Sequence, residues 1–282
     1  MVCSAKKSFE SIREQLINNP NLERINEEKI HDGIQLRPKG TANKNIFTRH
    51  YSDVRIKRST LIFKNDDPSS ASLEYFNRKT NTKNVIEINK LAKTFRTGAG
   101  IDNLDATRLY DYIFREKCNV DKTAHLIIPN KFRLNTQETY LTAFYFDEPI
   151  CPYNTLTMYF CSKEDAKILS LFFNSIFYLI QFLMIGKQST RGFLDFRQVD
   201  FQQIFAPKIE TINNNKRAEL LNLFENERFR RFDSILKQLS DKPEYRYKID
   251  EIIADSLGIK ISKQELTNLY DLIYEQITTN LA

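Results

Sequence analysis

The sequence predicts an α+β fold, a mixed sheet-and-helix body followed by a helical C-terminal extension. Three observations predict it. "AHLIIP" (124–129), "TYLTAFYF" (139–146) and "TLTMYF" (155–160) are short β-rich runs separated by turn chemistry at Pro129-Asn130 and at Asp147 through Asn154. A long apolar run, "ILSLFFNSIFYLIQFLMI" (168–185), follows a capping serine. From residue 214 to the end, one helical pattern succeeds another.

Taken in order, residues 4–18 read as an amphipathic helix, because Ile12 and Leu16 share a face; Pro20 stops it. "VRIKRSTLIFK" (54–64) alternates with period two and reads as a strand. Residues 72–89 read as a hairpin turning at Lys79-Thr80-Asn81-Thr82, and 103–118 as a helix capped by Asn103 or Asp105. Ser162, with Asp165 at the third helical position, opens one helix that runs to Gly186. Lys187 through Gly192 then form a polar, basic loop, and "FRQVDFQQI" (196–204) is a short amphipathic element ending before Pro207. Helices are expected over 214–240, 247–257 and 262–279, the middle one closed by Gly258 and the last opened by Ser262. This divides the chain into an N-terminal α/β part with basic strands (1–120), a core (121–212) and a helical extension (213–282).

Composition places the chain among globular proteins: 41% hydrophobic and 28% charged, with few Gly and Pro. The formal net charge is +6, unevenly spread. Between Lys44 and Arg96 there are twelve Lys/Arg against five Asp/Glu, a balance of +7, whereas from Asp241 onward the balance is −3. A basic middle suits a polyanionic partner. Cys3, Cys118, Cys151 and Cys161 have no metal-binding spacing, and the N-terminus has no apolar signal core; reduced thiols and a cytoplasmic location are the expectation. The run 168–185 reaches the lower length for a membrane span, but Ser170, Asn174, Ser175 and Gln181 interrupt it, so burial inside the protein is expected.

Catalytic templates are tested and incomplete. "FRTGAG" (95–100) does not complete a dinucleotide or phosphate-binding loop. His31, His50 and His125 lie far apart without an obvious nucleophile. Glu164, Asp165 and Lys167 could form a nuclease-like acid–lysine group, although acids in a first helical turn also have an ordinary electrostatic reason to be there.

The order of the remaining motifs carries a resemblance. A basic strand-like segment is followed by "IIPNKFRLN", β-runs, "SKEDAKILSLFFNS", the apolar helix, "GKQSTRG" and "DFRQVDFQQIFAPKI". Phe173-Asn174-Ser175, then Ser189-Thr190-Arg191-Gly192, then Arg197, Asp200, Ile204 and Pro207 fall in that order. The tail "RYKIDEIIADSLGIKISKQELTNLYDLI" adds Asp250, Leu257 and Gly258. Over about 120–282 this resembles the target-recognition region of adenine-specific DNA methyltransferases from restriction–modification systems, of the type I and fused type II kind.

The resemblance implies a mixed-sheet DNA target-recognition domain with a buried central helix. Double-stranded DNA and a methyltransferase catalytic domain or subunit would be its partners. Such a catalytic domain needs an Asn/Asp-Pro-Pro-Tyr/Phe motif and a glycine-rich loop for S-adenosylmethionine, whereas this sequence has no Pro-Pro pair. The cofactor is therefore expected on a separate domain or subunit, and this chain by itself is expected to be non-catalytic. Base reading needs side chains held in register against a duplex. Lys187, Ser189, Thr190 and Arg191 suit phosphates, and Gln188 and Arg191 suit base edges. Lys131, Arg133, Asn135 and Thr136 form a second set, and Arg55, Lys57 and Arg58 a basic strand. Two other classes stay open at this point: a small nuclease or nucleotide-modifying enzyme, and a helical interaction subunit.

Overall fold

The computed structural model describes residues 11, 12, 14–32, 37, 38, 60–63, 72–77, 82–87, 95, 96, 123–137, 139–150, 156–189 and 193–280. The chain divides into two compact units, one of residues 1–30, 128–145 and 161–282, the other of 31–127 and 146–160. The fold is mixed α and β, as the sequence predicts, and its strands form several small sheets.

The second unit holds most of the strands. A three-stranded meander joins β4 (Thr60–Phe63), β5 (Ser72–Asn77) and β6 (Thr82–Glu87). Its β5–β6 pair is antiparallel and closes with Asn77 opposite Thr82, the expected hairpin. β3 (Arg37–Pro38) pairs with β7 (Phe95–Arg96). A four-stranded sheet has the order β10-β8-β11-β2, with β2 at Ile30–Asp32, β8 at Ala124–Pro129, β10 at Phe144–Ile150 and β11 at Leu156–Tyr159. Leu126 and Ile127 have no exposed surface, which suits an unbroken apolar run in a central strand. The run 139–146 does not form the expected strand throughout; β10 starts only at Phe144 and continues to Ile150. The expected helix 103–118 lies outside the described residues.

In the first unit, β1 (Leu22–Arg24) pairs with β14 (Phe205–Pro207), Leu22 facing Pro207 and Arg24 facing Phe205. Ile12 and Leu16 are both buried, as their spacing requires. Ser162 caps α1 (Lys163–Phe173), its Oγ accepting from the Asp165 backbone N–H at 3.1 Å.

The expected single helix from Ser162 to Gly186 is in fact two. α1 ends at Phe173, α2 runs Ile176–Ile185, and the two meet at a 69° bend. Asn174 causes the break. Its Oδ1 accepts from the backbone N–H groups of Thr142 (2.7 Å) and Ala143 (3.2 Å), while its Nδ2 donates to the carbonyls of Ala143 (3.0 Å) and Ser170 (2.8 Å). The amide acts there as a strand partner for residues that have none, an outlet a continuous helix would not offer. Among the described residues no single helix is long and apolar enough to cross a membrane. The polar residues of this run have internal partners. Gln181 pairs with the backbone of Phe205 in both directions (2.8 and 3.0 Å), and Ser175 donates to the Phe172 carbonyl.

Four further helices follow: α4 (Asn214–Glu227), α5 (Ile235–Asp241), α6 (Glu244–Leu257) and α7 (Lys263–Asn280), with the short α3 (Gln198–Phe201) before them. The expected helix 214–240 is thus interrupted between Glu227 and Ile235, and the expected helix 247–257 starts earlier, at Glu244 behind Pro243. Gly258 closes α6 in the left-handed region (φ +70°), and Ser262 opens α7 by donating from its N–H and its hydroxyl to the Glu265 carboxylate. The free carbonyl of Leu257 accepts from Asn19 and Asn21, which ties the N-terminal segment to the end of α6.

The α1–α2 break is also the centre of the core. Asp250 on α6, with no exposed surface, accepts the Ile176 N–H (2.9 Å), the Tyr270 hydroxyl (2.7 Å) and the Arg246 Nε (2.9 Å). Arg246 in turn donates to the Asn174 carbonyl at 2.7 Å. A carboxylate at a helix N-terminus satisfies an orphan N–H and complements the helix dipole. From this joint an aromatic series runs outward: Phe173–Tyr178 (5.0 Å), Tyr178–Phe182 (5.8 Å), Phe182 stacked on Phe196 (4.2 Å, 9°) and Phe196–Phe201 (5.3 Å). Such pairs add about 0.5–1.5 kcal/mol each beyond burial.

Gly186 caps α2, although its φ of −58° is open to any residue. Space explains the glycine. A Cβ there would sit 2.7 Å from the Phe182 carbonyl oxygen and 3.0 Å from the Phe196 ring. Gly186→Ala is expected to lower stability by about 1–3 kcal/mol through overpacking. Urea denaturation checks this, and an unchanged midpoint would mean that the junction can relax.

Candidate nucleic-acid interface

The end of α2 leads straight into β12 (Lys187–Ser189), which pairs antiparallel with β13 (Phe193–Asp195), Lys187 facing Asp195 and Ser189 facing Phe193. On its other edge β13 pairs with β9 (Lys131–Phe132), Asp195 facing Lys131. The Phe196 N–H extends this pairing to the Asn130 carbonyl (2.7 Å). The two polar segments singled out in the sequence, 130–136 and 187–192, therefore each supply a strand, Lys131–Phe132 and Lys187–Ser189, to one three-stranded sheet of order β12-β13-β9. The expected loop is corrected at its start: Lys187, Gln188 and Ser189 are strand residues, and 190–192 lie outside the described residues.

Arg133, just beyond β9, is half-buried and braced. Its guanidinium lies over the Phe193 ring, 5.5 Å from the centroid, and its Nε donates to Asn135 Oδ1 at 3.2 Å. Thr139 Oγ1 donates to the Arg133 carbonyl, which fixes the backbone of the turn. Asn135 and Thr136 are half-buried on the same turn. Of Lys131, Gln188 and Ser189 the backbone path alone is described, and Thr190, Arg191, Arg55, Lys57 and Arg58 lie outside the described residues.

Lys187 is exposed over 62% of its side chain, and its Nζ stands 3.8 Å from Asp200 Oδ1. Arg197, 64% exposed, meets the other carboxylate oxygen through its Nε at 3.4 Å and through its backbone N–H at 2.9 Å. Burial pushes the Asp200 carboxyl up, but the Arg197 N–H and guanidinium and the Lys187 charge outweigh it and hold it below the ordinary aspartate value. The group is thus ionised at neutral pH, and its contribution to stability is lost only as pH falls through that lowered value. One buried carboxylate holds two exposed cations at the edge of the sheet. Arg197 is not among the candidate binding residues; its place two residues beyond β13, three before an aspartate, is the signal that could find it.

The other candidates fall elsewhere. Glu164 and Asp165 both accept from Arg217 Nη2 (3.1 and 2.8 Å), and Lys167 pairs with Glu225, so the acid–lysine group is engaged by α4. His31 Nδ1 lies 2.6 Å from the Asp32 carbonyl and His125 Nδ1 2.9 Å from that of Phe146. Burial and the nearby Asp165 push the Cys161 thiol up to about 12, which removes its nucleophilic form at neutral pH. Among the described residues no group of three or more His, Cys, Asp or Glu is placed to hold a metal ion.

No protein-family model matches this chain, and no curated protein matches it. Among solved structures it is similar to the type IIG restriction endonuclease BpuSI, with a TM-score of 0.51 and 14% identity over 97% of this chain and 33% of that one. The chain spans about a third of the length of that enzyme. The likeness is one of fold, and it places this mixed α/β architecture beside part of a restriction endonuclease.

Proposed function

We propose that this chain is a double-stranded DNA recognition module that directs an adenine-specific methyltransferase of a restriction–modification system to its site. The observation that carries the reading is the β12-β13-β9 sheet. It joins strands from two sequence-distant polar segments at the end of a buried helix, and the turn that carries Arg133 leaves directly from β9. A side chain that reads bases has to be held in place, and Arg133 is held by Phe193 and Asn135. The fold likeness to a type IIG restriction endonuclease supports the same reading. S-adenosylmethionine binding and methyl transfer belong, on this reading, to a separate catalytic domain or subunit.

The test separates positioning from reading. Lys187→Ala is expected to weaken binding evenly across sequences and to reduce the salt slope by about one. Arg133→Ala and Arg191→Ala are expected to cost about 1–3 kcal/mol on a preferred site and less on scrambled duplex. Affinity for duplexes selected from a random pool is measured over a salt series. Methyl transfer from labelled S-adenosylmethionine is measured alongside. Methylation by the chain alone, or three variants that bind and discriminate like the parent, would overturn the reading.

A further inference from the structure

The interruption between α4 and α5 places an aromatic residue in solvent. In "RFRRF" (228–232) Phe229 is 84% exposed, whereas Phe232 packs edge-on against Tyr245 at 5.4 Å. Burying a phenylalanine is worth about 1.5–3 kcal/mol, so the chain forgoes that gain at Phe229. The surroundings are not loose. Arg228 lies over three rings, Phe229 (4.8 Å), Phe224 (5.5 Å) and Tyr145 (5.8 Å), and Arg230 lies over Tyr245 (4.9 Å). The acids of the stretch are engaged, Glu225 by Arg228 and Lys167, Glu227 by Arg230. Arg231 is exposed and has no ion pair among the described residues.

This segment is tied to the turn that carries Arg133. Ser234 Oγ donates to Gln137 Oε1 at 2.7 Å, the Ile235 N–H donates to the Thr139 carbonyl at 2.8 Å, and Thr139 in turn holds the Arg133 carbonyl. Arg231 is three residues from Ser234, and Gln137 is one residue from Thr136. At the reach of an extended chain these links put Arg231 within roughly 25 Å of Thr136. That is less than one turn of duplex DNA, about 34 Å.

From this placement we infer that Phe229 and Arg231 form a second DNA contact beside the β12-β13-β9 face, Phe229 packing its open ring face on a base as a wedge and Arg231 meeting a phosphate. The inference rests on the DNA reading above. An arginine stacked on one side of an exposed ring leaves a planar apolar surface, and a nucleobase fits that surface while the neighbouring charge fits the backbone. An acidic protein segment would also satisfy Arg231, but nucleic acid carries a phosphate and a planar base in every unit, so one ligand meets both groups at once.

The sequence has no tryptophan, so Phe229→Trp in the full chain gives a single emission signal at this position. A pool of short random-sequence duplexes at low salt is expected to quench it, with binding followed in parallel by the anisotropy of labelled DNA. Heparin, a polyanion without bases, is expected to bind without quenching. Phe229→Ala is expected to weaken duplex binding about tenfold, within the range for loss of one base–aromatic stack. Duplex binding without quenching, equal quenching by heparin, or full affinity in Phe229→Ala would each overturn the inference. If in addition Lys187→Ala weakens binding, the face stands and only this contact falls. If the parent chain binds no duplex at all, the face reading falls and the contact with it.

Discussion

Asp250→Ala is expected to destabilise the first unit by about 3–5 kcal/mol, the usual cost of breaking a buried ion pair from one side. A domain of ordinary stability, about 5–15 kcal/mol, survives this with little to spare. The side chains of Asp250 and Arg246 are 0% and 7% exposed. Removing the carboxylate leaves the guanidinium with the Asn174 carbonyl at 2.7 Å and Gln238 Oε1 at 3.4 Å, neither of which carries a charge. It also orphans the Ile176 N–H and the Tyr270 hydroxyl. Burial pushes the Asp250 carboxyl above its ordinary value, against the pull of Arg246, of the Ile176 N–H and of Tyr270, so the pair is held by geometry in a place that opposes charge. The double variant Asp250→Leu with Arg246→Met removes both charges. It is expected to recover part of the loss, and only part, because the Ile176 and Tyr270 donors remain unmet. Urea denaturation of the three variants measures this. A loss below about 1 kcal/mol in Asp250→Ala would show that water reaches the site and that the joint is not closed.

Local signals carried the fold where the chain decides for itself. The run 124–129, the Ser162 cap, Gly258 and the Ser262 opening are all set by residues within a few positions, and each is found where its chemistry puts it. The α1–α2 break was not legible, because the partners of Asn174 are Thr142 and Ala143 on one side and, through the next turn, Asp250 on the other. A mid-helix asparagine costs a helix little by propensity, so nothing local announces the bend. The same holds for Lys187–Ser189. Their polarity reads as a loop, and only the pairing with 193–195 makes them a strand. Several residues that carried the family resemblance, Asn174, Asp200 and Asp250, are joints of the fold. Their side chains are spent inside the protein, so the DNA contacts proposed above would fall to the side chains mounted on these joints. Phe229 is the opposite case: composition assigns a phenylalanine to the core, and the structure leaves it in solvent.

Asn174→Ala tests whether that joint is one cooperative unit. The substitution removes the acceptor for two backbone N–H groups, Thr142 and Ala143, and the donor to the Ala143 carbonyl. Each buried group left unmet costs about 1–3 kcal/mol, and because Asn174 is only half-buried water can meet part of the demand, so a total near 2–4 kcal/mol is expected. Asn174→Asp keeps the acceptor and loses the donor, and is expected to cost less. The informative measurement is the cycle with Asp250→Ala. Asn174 ends α1 and Asp250 holds the first N–H of α2, so both act on the same three-residue turn, and Arg246 touches both. Residues that share a network couple by about 0.5–3 kcal/mol, whereas independent sites add. Sub-additive losses are expected, since once the turn is released by one substitution the other has less to release. Strict additivity in urea denaturation would mean that two unconnected anchors hold α1 and α2. Because α2 runs directly into β12, the coupled result has a functional counterpart: the folded fraction of Asn174→Ala is expected to bind duplex DNA more weakly than the parent, although residue 174 itself lies outside the candidate face.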